Sequence, residues 1–378
     1  EELNVRRRAV IAAHPPPPNG APMFSWEAWG EEAAPELVGA TGGVGHSPAA
    51  TAWWLRLDSR RPDMSAAGVA ARTRALAYLR DASRALPTNV LGVVPSPWPI
   101  NRFEQSFGLH ILVTAGLATR HELALPFLRR AADLNSALTS KGIGFSDGFV
   151  PDGDDTAAAL GVTAAAGLMA DSSILAPFRR ADHFVAYPHE LHASHTVTAR
   201  ATEVLATLGC DVTPWRRCVA QAQRPDGWWN SEKWNRSCLY GTHVALTSLA
   251  GFPSSAKRAA ARAYLDHQNA DGGWGSTQQS TLVETAYGLL ALCRIAADSE
   301  DASGCRRAIA AAHEYLRRNE AERGSYEPRF WISKDLFGAR RVERAIVLSA
   351  LLAPHFAPGA AEASDCRQQA AQREGVTL

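Results

Sequence analysis

The feature that most constrains the fold is a succession of helix-length amphipathic segments, separated by Gly, Pro or Asp turns. Most segments are roughly 12 to 18 residues long, within the usual range for globular helices. They cover residues 66–85, 102–118, 122–139, 156–169, 196–208, 242–249, 255–269, 280–296, 305–318 and 340–352. Convincing strand alternation is absent. Many helices of this length, with small residues at their contacts, predict an all-α chain folded as an α/α barrel (toroid).

A weak internal repeat supports a barrel of stacked helices. Residues 262–274 predict a helix that ends in Gln, followed by a Gly-rich turn and a Trp. A degenerate copy passes through Cys218, Val219, Gln223, Asp226, Gly227 and Trp228. We expect each Gln amide to bond the backbone at a neighbouring helix end while the Trp packs over the turn. For the second copy, an unrelated Gly-Trp turn is the alternative.

Length, charge and cysteine usage limit the class of protein. At 378 residues the chain can hold two domains, and its 39 basic and 38 acidic residues give no electrostatic footprint for nucleic acid. The most apolar run, residues 157–175, is rich in Ala and Gly and suits a buried helix better than a transmembrane segment. The six cysteines lack CxxC spacing and the N-terminus shows no signal peptide, so we expect a cytoplasmic protein with reduced thiols.

The most informative chemical motif is Asp152-Gly153-Asp154-Asp155, followed by Thr-Ala at the start of an Ala-rich helical run. Clustered carboxyl groups in a dry pocket can hold one transferable proton, and protonation of a carbon–carbon double bond needs such an acid. The same residues are also good N-cap and turn formers, which is the alternative interpretation.

Two metal-binding loops that share this composition do not fit. An EF-hand loop beginning at Asp152 needs Gly at its sixth position and Glu at its twelfth, where the chain has Ala157 and Thr163. The Asp-Asp-x-x-Asp motif of ionising terpene synthases needs Asp in place of Ala158.

Eight segments in order along the chain carry a family resemblance. They include Ser-Pro-Ala-Ala-Thr-Ala within 45–52 and the acid motif at 152–157; the full set is residues 45–52, 95–104, 142–145, 152–157, 232–234, 268–274, 283–287 and 331–337. Together they resemble the class II (protonation-initiated) terpene cyclases, of the bacterial diterpene cyclase kind related to plant copalyl diphosphate synthases.

The resemblance implies a βγ architecture of two helical lobes. Residues 1–119 would be the C-terminal part of the γ domain, and residues 120–378 the β domain that carries the acid motif. The N-terminal part of γ is expected to be missing, and with it the acidic motif linked to Mg²⁺ and diphosphate. No α domain is expected, so ionising class I activity should be absent.

The resemblance also implies roles for single residues. Asp154 would donate the proton, and Asp152 and Asp155 would tune it through hydrogen bonds. Lys233, Lys334 and Arg236 are the candidates for binding the retained diphosphate, with Mg²⁺ as cofactor and no metal ligand identified. Candidates for shielding the carbocation are Trp98, Phe145, Trp228 and Trp331, with Phe103, Phe149, Trp234 and Tyr240 as further aromatics. Core packing is the alternative role for each aromatic residue, and solvated surface charge for each basic one.

Two departures from the plant enzymes concern the ends of the reaction. Plant ent-copalyl enzymes hold a water with a His and an Asn, and these positions correspond to the region of Phe24 and to Ser96. The family's Asn that contacts the acid from a later helix has no counterpart in the region around His192, His195, Thr198 and Arg200. His195 is the possible substitute.

The function implied is cyclisation of geranylgeranyl diphosphate to a bicyclic copalyl- or clerodane-type diphosphate. The expected partners are a prenyl diphosphate substrate and a downstream class I terpene synthase, without nucleic acid or a transmembrane segment. Alternatives are a drimenyl-type cyclase acting on farnesyl diphosphate and a protein prenyltransferase-like barrel with zinc near Cys238 and His243. A non-catalytic helical scaffold is the third class.

Overall fold

Helices make up nearly all of the regular secondary structure in a computed structural model that describes residues 2–14, 16, 20–60, 62–86, 92–230, 233–249, 254–297, 303–322 and 328–353. Its α-helices are α1 (Glu2–Ala13), α2 (Pro48–Arg60), α3 (Ala66–Arg84), α4 (Asn101–Thr114), α5 (His121–Ala137), α6 (Gly153–Ala165), α7 (His195–Thr207), α8 (Thr213–Gln221), α9 (Cys238–Ser248), α10 (Ser254–Asp266), α11 (Leu282–Ala297), α12 (Ser303–Asn319) and α13 (Arg340–Leu352).

Six of these helices form a closed ring. Helix α4 packs on α6, α6 on α7, α7 on α9, α9 on α11, α11 on α13, and α13 packs back on α4. Outside this ring, α5 covers α4 and α6, α8 covers α7 and α9, and α10 and α12 pack against α11. An inner ring with an outer layer is an α/α barrel, so the predicted fold class is confirmed.

Burial explains which helices form the inner ring. Helices α6, α9 and α11 are apolar on nearly every face and are buried along almost their whole length. The outer helices α8, α10 and α12 have one apolar and one charged face, as expected for helices exposed on one side. Small residues let the inner helices approach closely, because a Cβ on Gly161 of α6 would meet Val204 of α7 at 2.8 Å and His110 of α4 at 2.9 Å.

The first Gln-Trp turn has the predicted contacts. The side-chain amide of Gln268 donates to the carbonyl oxygens of Gly272, in its own turn, and of Ala308, on α12, at 2.8 and 2.9 Å. The indole nitrogen of Trp274 donates to the carbonyl of Tyr264 at 2.8 Å. This turn therefore connects the ends of α10 and α12.

The second copy has the same geometry, with one correction to its register. The Gln223 amide donates to the carbonyl of Ala256 on α10 at 2.9 Å, as Gln268 does to α12. The residue equivalent to Trp274 is Trp229, whose indole nitrogen donates to the carbonyl of Val219 at 2.7 Å. From the sequence, this copy was predicted to end at Trp228, one residue earlier. The ten-residue spacing from the accepting carbonyl to the Trp, shared by both copies, identifies the register.

The N-terminal helices form a second, smaller core. Helices α2 and α3 pack on each other and on 3-10 segments at Ala21–Ala28 and Pro35–Leu37, around Met23, Trp26 and Trp54. The division at residues 119 and 120 stays a prediction. Helix α4 lies in the first predicted unit by sequence, yet it closes the ring of the second.

Several elements were not anticipated. Helices α1 and α2 lie outside the predicted segments, although Pro48 is a typical helix-start signal. Helix α8 was predicted only as the helix of the second Gln-Trp copy. Two strands, Trp331–Ile332 and Leu336–Phe337, pair antiparallel. Two residues each are too few to show alternation in a sequence.

Among the described residues, no helix combines the length and hydropathy that crossing a membrane requires.

Candidate active site

A cavity of about 430 Å³ lies against the N-terminus of α6. Its walls come from α4, from the segments that precede α6 and α7, from the short hairpin at 331–337, and from the N-terminal 3-10 segment. All three motif aspartates line it, and aromatic side chains make most of the rest. The volume is in the range of small-molecule binding sites.

Asp152 begins helix α6 and also belongs to the carboxyl cluster. Its Oδ1 accepts from the backbone nitrogens of Asp154 and Asp155 at 3.0 and 2.8 Å, so the N-cap interpretation is correct as well. Burial and then the charge of Asp155 raise the pKa of Asp152 well above its usual range. Gly153 follows it because a Cβ there would meet the carbonyl of Val185 at 2.5 Å.

Asp155 joins α6 to α4 through a buried hydrogen bond. The Ser106 hydroxyl donates to Asp155 Oδ1 at 2.6 Å, and both residues are buried. Burial raises the pKa of Asp155 to about 7, against the opposing effect of Ser106 and with the help of the charge on Asp154. Asp155 is therefore a carboxyl group that can keep a proton near neutral pH.

Asp154 is held by an arginine from the neighbouring ring helix. Arg200 Nε, on α7, donates to Asp154 Oδ1 at 2.6 Å, and both side chains are nearly inaccessible to solvent. Arg200 Nη2 donates to the Tyr240 hydroxyl at 3.0 Å, and Nη1 lies 3.3 Å from His110 Nδ1. Its guanidinium also stacks 4.2 Å from the ring centre of Phe107. This is a buried contact between a carboxyl group and a guanidinium whose three nitrogens are all engaged.

The interaction behind Arg200 fixes the orientation of His110. A guanidinium has no acceptor, so His110 Nδ1 must accept from Arg200. His110 Nε2 then carries the hydrogen and donates to Glu203 Oε2 at 3.0 Å. The cluster extends in this way from α6 through α7 to α4.

Among the predicted diphosphate ligands, Lys334 lines the cavity. Its Nζ donates to Glu27 Oε1 and to Ser47 Oγ, both at 2.6 Å, and lies 4.5 Å from the ring centre of Phe24. Burial lowers the pKa of Lys334, partly offset by Glu27. The second carboxylate oxygen of Glu27 is buried, and none of the residues that the structure describes forms a hydrogen bond with it.

Lys233 and Arg236 lie outside the lining of this cavity. Lys233 Nζ pairs with Glu190 Oε2 at 2.7 Å and lines a separate, more open cavity together with His192 and Asn230. Arg236 stacks 5.6 Å from the ring centre of Phe330. Lys233 therefore lines the second cavity and not the aspartate cavity, and its role in binding the diphosphate stays a prediction.

The predicted aromatics divide between the cavity and the core. Phe145 and Trp331 line the cavity, and so do Phe103, Phe149 and Trp234 from the wider set. Trp98 instead packs 4.9 Å from Tyr78, and Trp228 packs 4.7 Å from Tyr264. Further wall residues that the sequence interpretation did not select are Phe24, Phe107, Tyr187 and Phe337.

The partner of the acid was the main residue missed. His195, the suggested substitute, faces the other cavity, where its Nε2 contacts the carbonyl of Asn230 at 3.0 Å. Arg200 takes that place, five residues further along α7. A signal was present, because an Arg on a helix of Thr, Ala and Val must find a buried partner, and the Asp cluster supplies one.

The two positions linked to the terminating water lie close to Lys334. Phe24 lines the cavity, and Ser96 Oγ hydrogen-bonds to Ser333 Oγ at 3.1 Å, with Ser333 also in the wall.

The described residues contain no group of three or more His, Cys, Asp and Glu side chains placed to hold a metal ion. Among these residues, Cys238 and His243 therefore do not belong to a set of zinc ligands. In the Asp cluster, Oδ1 of each aspartate accepts a hydrogen bond from a protein group.

Residues 176–339 match the family model described as the squalene-hopene cyclase C-terminal domain. The chain is 41% identical to the (+)-kolavenyl diphosphate synthase of Herpetosiphon aurantiacus, over 93% of this chain and 67% of that protein. It is 31% identical to the terpentedienyl-diphosphate synthase of Kitasatospora griseola, over 84% of this chain and 62% of that protein.

Among solved structures, the ent-copalyl diphosphate synthase from Streptomyces platensis is similar, with a TM-score of 0.77 and 32% identity. The match covers 93% of this chain and 67% of that structure. The chain thus spans about two thirds of the length of these relatives. With 41% identity to one such enzyme and the fold of another, the chain belongs to the class II diterpene cyclase family.

Proposed function

We propose that the protein protonates the terminal alkene of geranylgeranyl diphosphate and cyclises the chain to a bicyclic copalyl- or clerodane-type diphosphate. The observation that carries the proposal is a cluster of three buried carboxyl groups in the wall of an aromatic-lined cavity. The printed names of the similar enzymes, which are synthases of terpenyl diphosphates, support a prenyl diphosphate as substrate.

Asp154 is proposed as the proton donor. The O–H bond of its carboxyl group breaks, and a C–H bond forms at the less substituted alkene carbon with the π electron pair. The resulting tertiary cation is attacked by the next alkene. Phe103, Phe145 and Trp331 place π faces along the cavity, which favours a cation there over water. Loss of a proton ends the reaction, so substrate and product are isomers.

Lys334 is proposed to bind the diphosphate. It combines a position in the wall with partial burial, where a charge-assisted bond to phosphate is strong. Mg²⁺ remains a proposal, as an ion that would accompany the diphosphate, since such ions are commonly held by substrate phosphates with one or two carboxylates. The cytoplasmic location and a downstream class I synthase stay proposals of the same kind.

The direct test is incubation of the protein with farnesyl diphosphate, geranylgeranyl diphosphate and squalene, with and without Mg²⁺. Products are dephosphorylated and identified by mass spectrometry. A bicyclic C20 alcohol supports the proposal, and a C15 drimane product would reassign the substrate. Turnover of none of the three by wild-type protein contradicts it.

A further inference from the structure

We propose that Arg200 is a positioning residue that selects Asp154 from the three carboxyl groups and holds its carboxylate after the proton has left. The inference rests on the proposed function for its chemical meaning, although the ion pair itself does not depend on the substrate. Burial and position do not distinguish the three aspartates, because all of them are buried and all line the cavity.

The two carboxyl oxygens of Asp154 have different surroundings. Arg200 Nε bonds Asp154 Oδ1, and within the described part of the chain Oδ2 accepts no hydrogen bond from the protein. The Asp154 side chain keeps 12% of its surface accessible, and that surface borders the cavity. With Oδ1 fixed by the arginine, Oδ2 is the oxygen that can carry a proton to the substrate.

Charge also distinguishes the three aspartates. Burial raises the pKa of both Asp152 and Asp155, so each of them holds its proton more tightly than an exposed carboxyl group does. Arg200 is in direct contact with the cluster, and its Nε is directed at Asp154. In a coupled cluster the protons belong to the group as a whole. After the cluster has lost one proton, Arg200 determines which of the three carboxyl groups carries the negative charge.

The contacts of Arg200 hold its guanidinium in one orientation. Arg200 Nη2 is engaged with Tyr240, Nη1 with His110, and the guanidinium face with Phe107. Turning toward another carboxyl group would break these contacts inside a buried site, at a cost for each unsatisfied donor. The arginine is therefore preorganised for the charge that develops on Asp154 as the proton leaves.

Other ionisable groups surround this pair on every side. Asp152 and Asp155 lie on the same helix, Tyr240 and His243 on α9, His110 on α4, Glu203 on α7, Arg294 on α11 and Tyr187 in the segment before α7. Burial lowers the pKa of His243 to about 3, and it raises the pKa of Tyr187 well above its usual range. Neither His243 nor Tyr187 should titrate near pH 7. His110 contacts Arg200 directly, so a variant that lacks the Asp154 carboxyl group is needed to assign a pH effect to the carboxyl cluster.

The kinetic experiment compares Arg200→Gln and Arg200→Lys with wild type on geranylgeranyl diphosphate. Loss of a preorganised charge that acts in the transition state should lower kcat by about 100-fold in R200Q while KM stays within about threefold. R200K keeps the charge and loses the fork, so we expect recovery to about tenfold below wild type. Arg216→Gln is the matched control, because Arg216 bonds the Ser248 carbonyl away from the cavity, and its kcat should not change.

A second measurement needs no substrate. In R200Q the Asp154 carboxylate would be buried without its cation, so the folded variant should take up a proton that the unfolded chain releases. The folded R200Q variant should therefore be more stable at low pH, where this carboxyl group is protonated, and less stable as pH rises. Relative to wild type, the melting temperature of R200Q should fall by about 4 °C more at pH 8 than at pH 5.5. The double variant Asp154→Asn with Arg200→Gln should remove this difference.

The outcomes separate the two proposals. A wild-type protein that cyclises none of the substrates contradicts the proposed function, and the melting series still tests the ion pair. A folded R200Q with wild-type kcat, or with a melting loss independent of pH, overturns the role of Arg200. If R200Q does not fold, R200K decides, and an unchanged kcat in R200K contradicts positioning by the fork.

Discussion

At the residue scale, three neighbouring carboxyl groups acquire different roles from different partners. Asp152 bonds two backbone amides, Asp155 accepts from Ser106, and Asp154 pairs with Arg200. Identical side chains in one motif thus differ in proton affinity because desolvation, hydrogen bonds and charge act on each to a different extent. The proposed chemistry of the site depends on these differences between the three carboxyl groups.

Asp154→Asn should abolish cyclisation and leave the fold intact. Asparagine keeps the shape and can still accept from Arg200, but it has no transferable proton. Circular dichroism should stay close to wild type. The melting temperature should fall, because Arg200 loses its buried counter-charge, and product formation should fall by at least about 1,000-fold. Retention of a tenth of wild-type turnover would remove Asp154 from the role of acid.

Activity should decline as pH rises through about 7, because burial raises the pKa of Asp155 to about 7 and the cluster must hold a proton to donate one. The sign follows from the acid role, since the protonated form is active and lies on the low-pH side. Rate against pH from 5.5 to 9 checks this. Ser106→Ala removes a hydrogen bond that lowers the Asp155 pKa, so its alkaline limb should move to higher pH. A limb that moves to lower pH would contradict the assignment.

At the element scale, the barrel depends on turns that join consecutive outer helices. Gln223 ties the turn after α8 to α10, and Gln268 ties the turn after α10 to α12. Each amide donates twice, once to a carbonyl in its own turn and once to a carbonyl in the first half of the next outer helix. The two turns therefore make equivalent contacts between consecutive outer helices.

Gln268→Ala should lower the free energy of unfolding by about 1–3 kcal/mol, because two carbonyls lose their donor in a partly buried turn. Gln223→Ala should cost a similar amount, since its contacts are the same. Urea denaturation measures both. Gln221→Ala, at the end of α8, is the exposed control, with a change within about 0.5 kcal/mol. Equal effects of all three substitutions would show that the Gln-Trp turns add no special stability.

At the scale of the whole molecule, the cavity is assembled from distant parts of the chain. Lys334 follows the first strand of the short hairpin near the C-terminal end of the barrel, yet its partners Glu27 and Ser47 belong to the N-terminal core. The same cavity includes Phe24 and Trp331. Binding of substrate should therefore depend on contacts between the N-terminal core and the barrel.

Lys334→Ala should weaken binding of geranylgeranyl diphosphate by about 10- to 100-fold, as expected for one lost charge-assisted contact. Binding of geranylgeraniol, which lacks the phosphates, should change little. Lys233→Ala is the matched control, because this lysine lines the other cavity and should change the Kd by no more than about twofold. Isothermal titration with D154N protein avoids turnover. The reverse order, with Lys233 the more important, would restore Lys233 as a diphosphate ligand.

Local pattern was enough to predict the helices, the barrel class, the acid motif and one Gln-Trp contact, because periodicity and turn chemistry act over a few residues. The length of each helix was less certain, since ends such as that of α4 at Thr114 are set by packing rather than by propensity. Helix α2 was missed, although its Pro start lies in the sequence.

The sequence by itself determined that three aspartates begin a buried helix and that the chain closes a helical barrel. Only the tertiary structure decided that Arg200 holds Asp154, that Lys334 and not Lys233 shares their cavity, and that Trp229 takes the place first given to Trp228. The physical reason is that burial periodicity is encoded locally. The pairing of charges 46 or more residues apart depends on which faces the closed ring brings together.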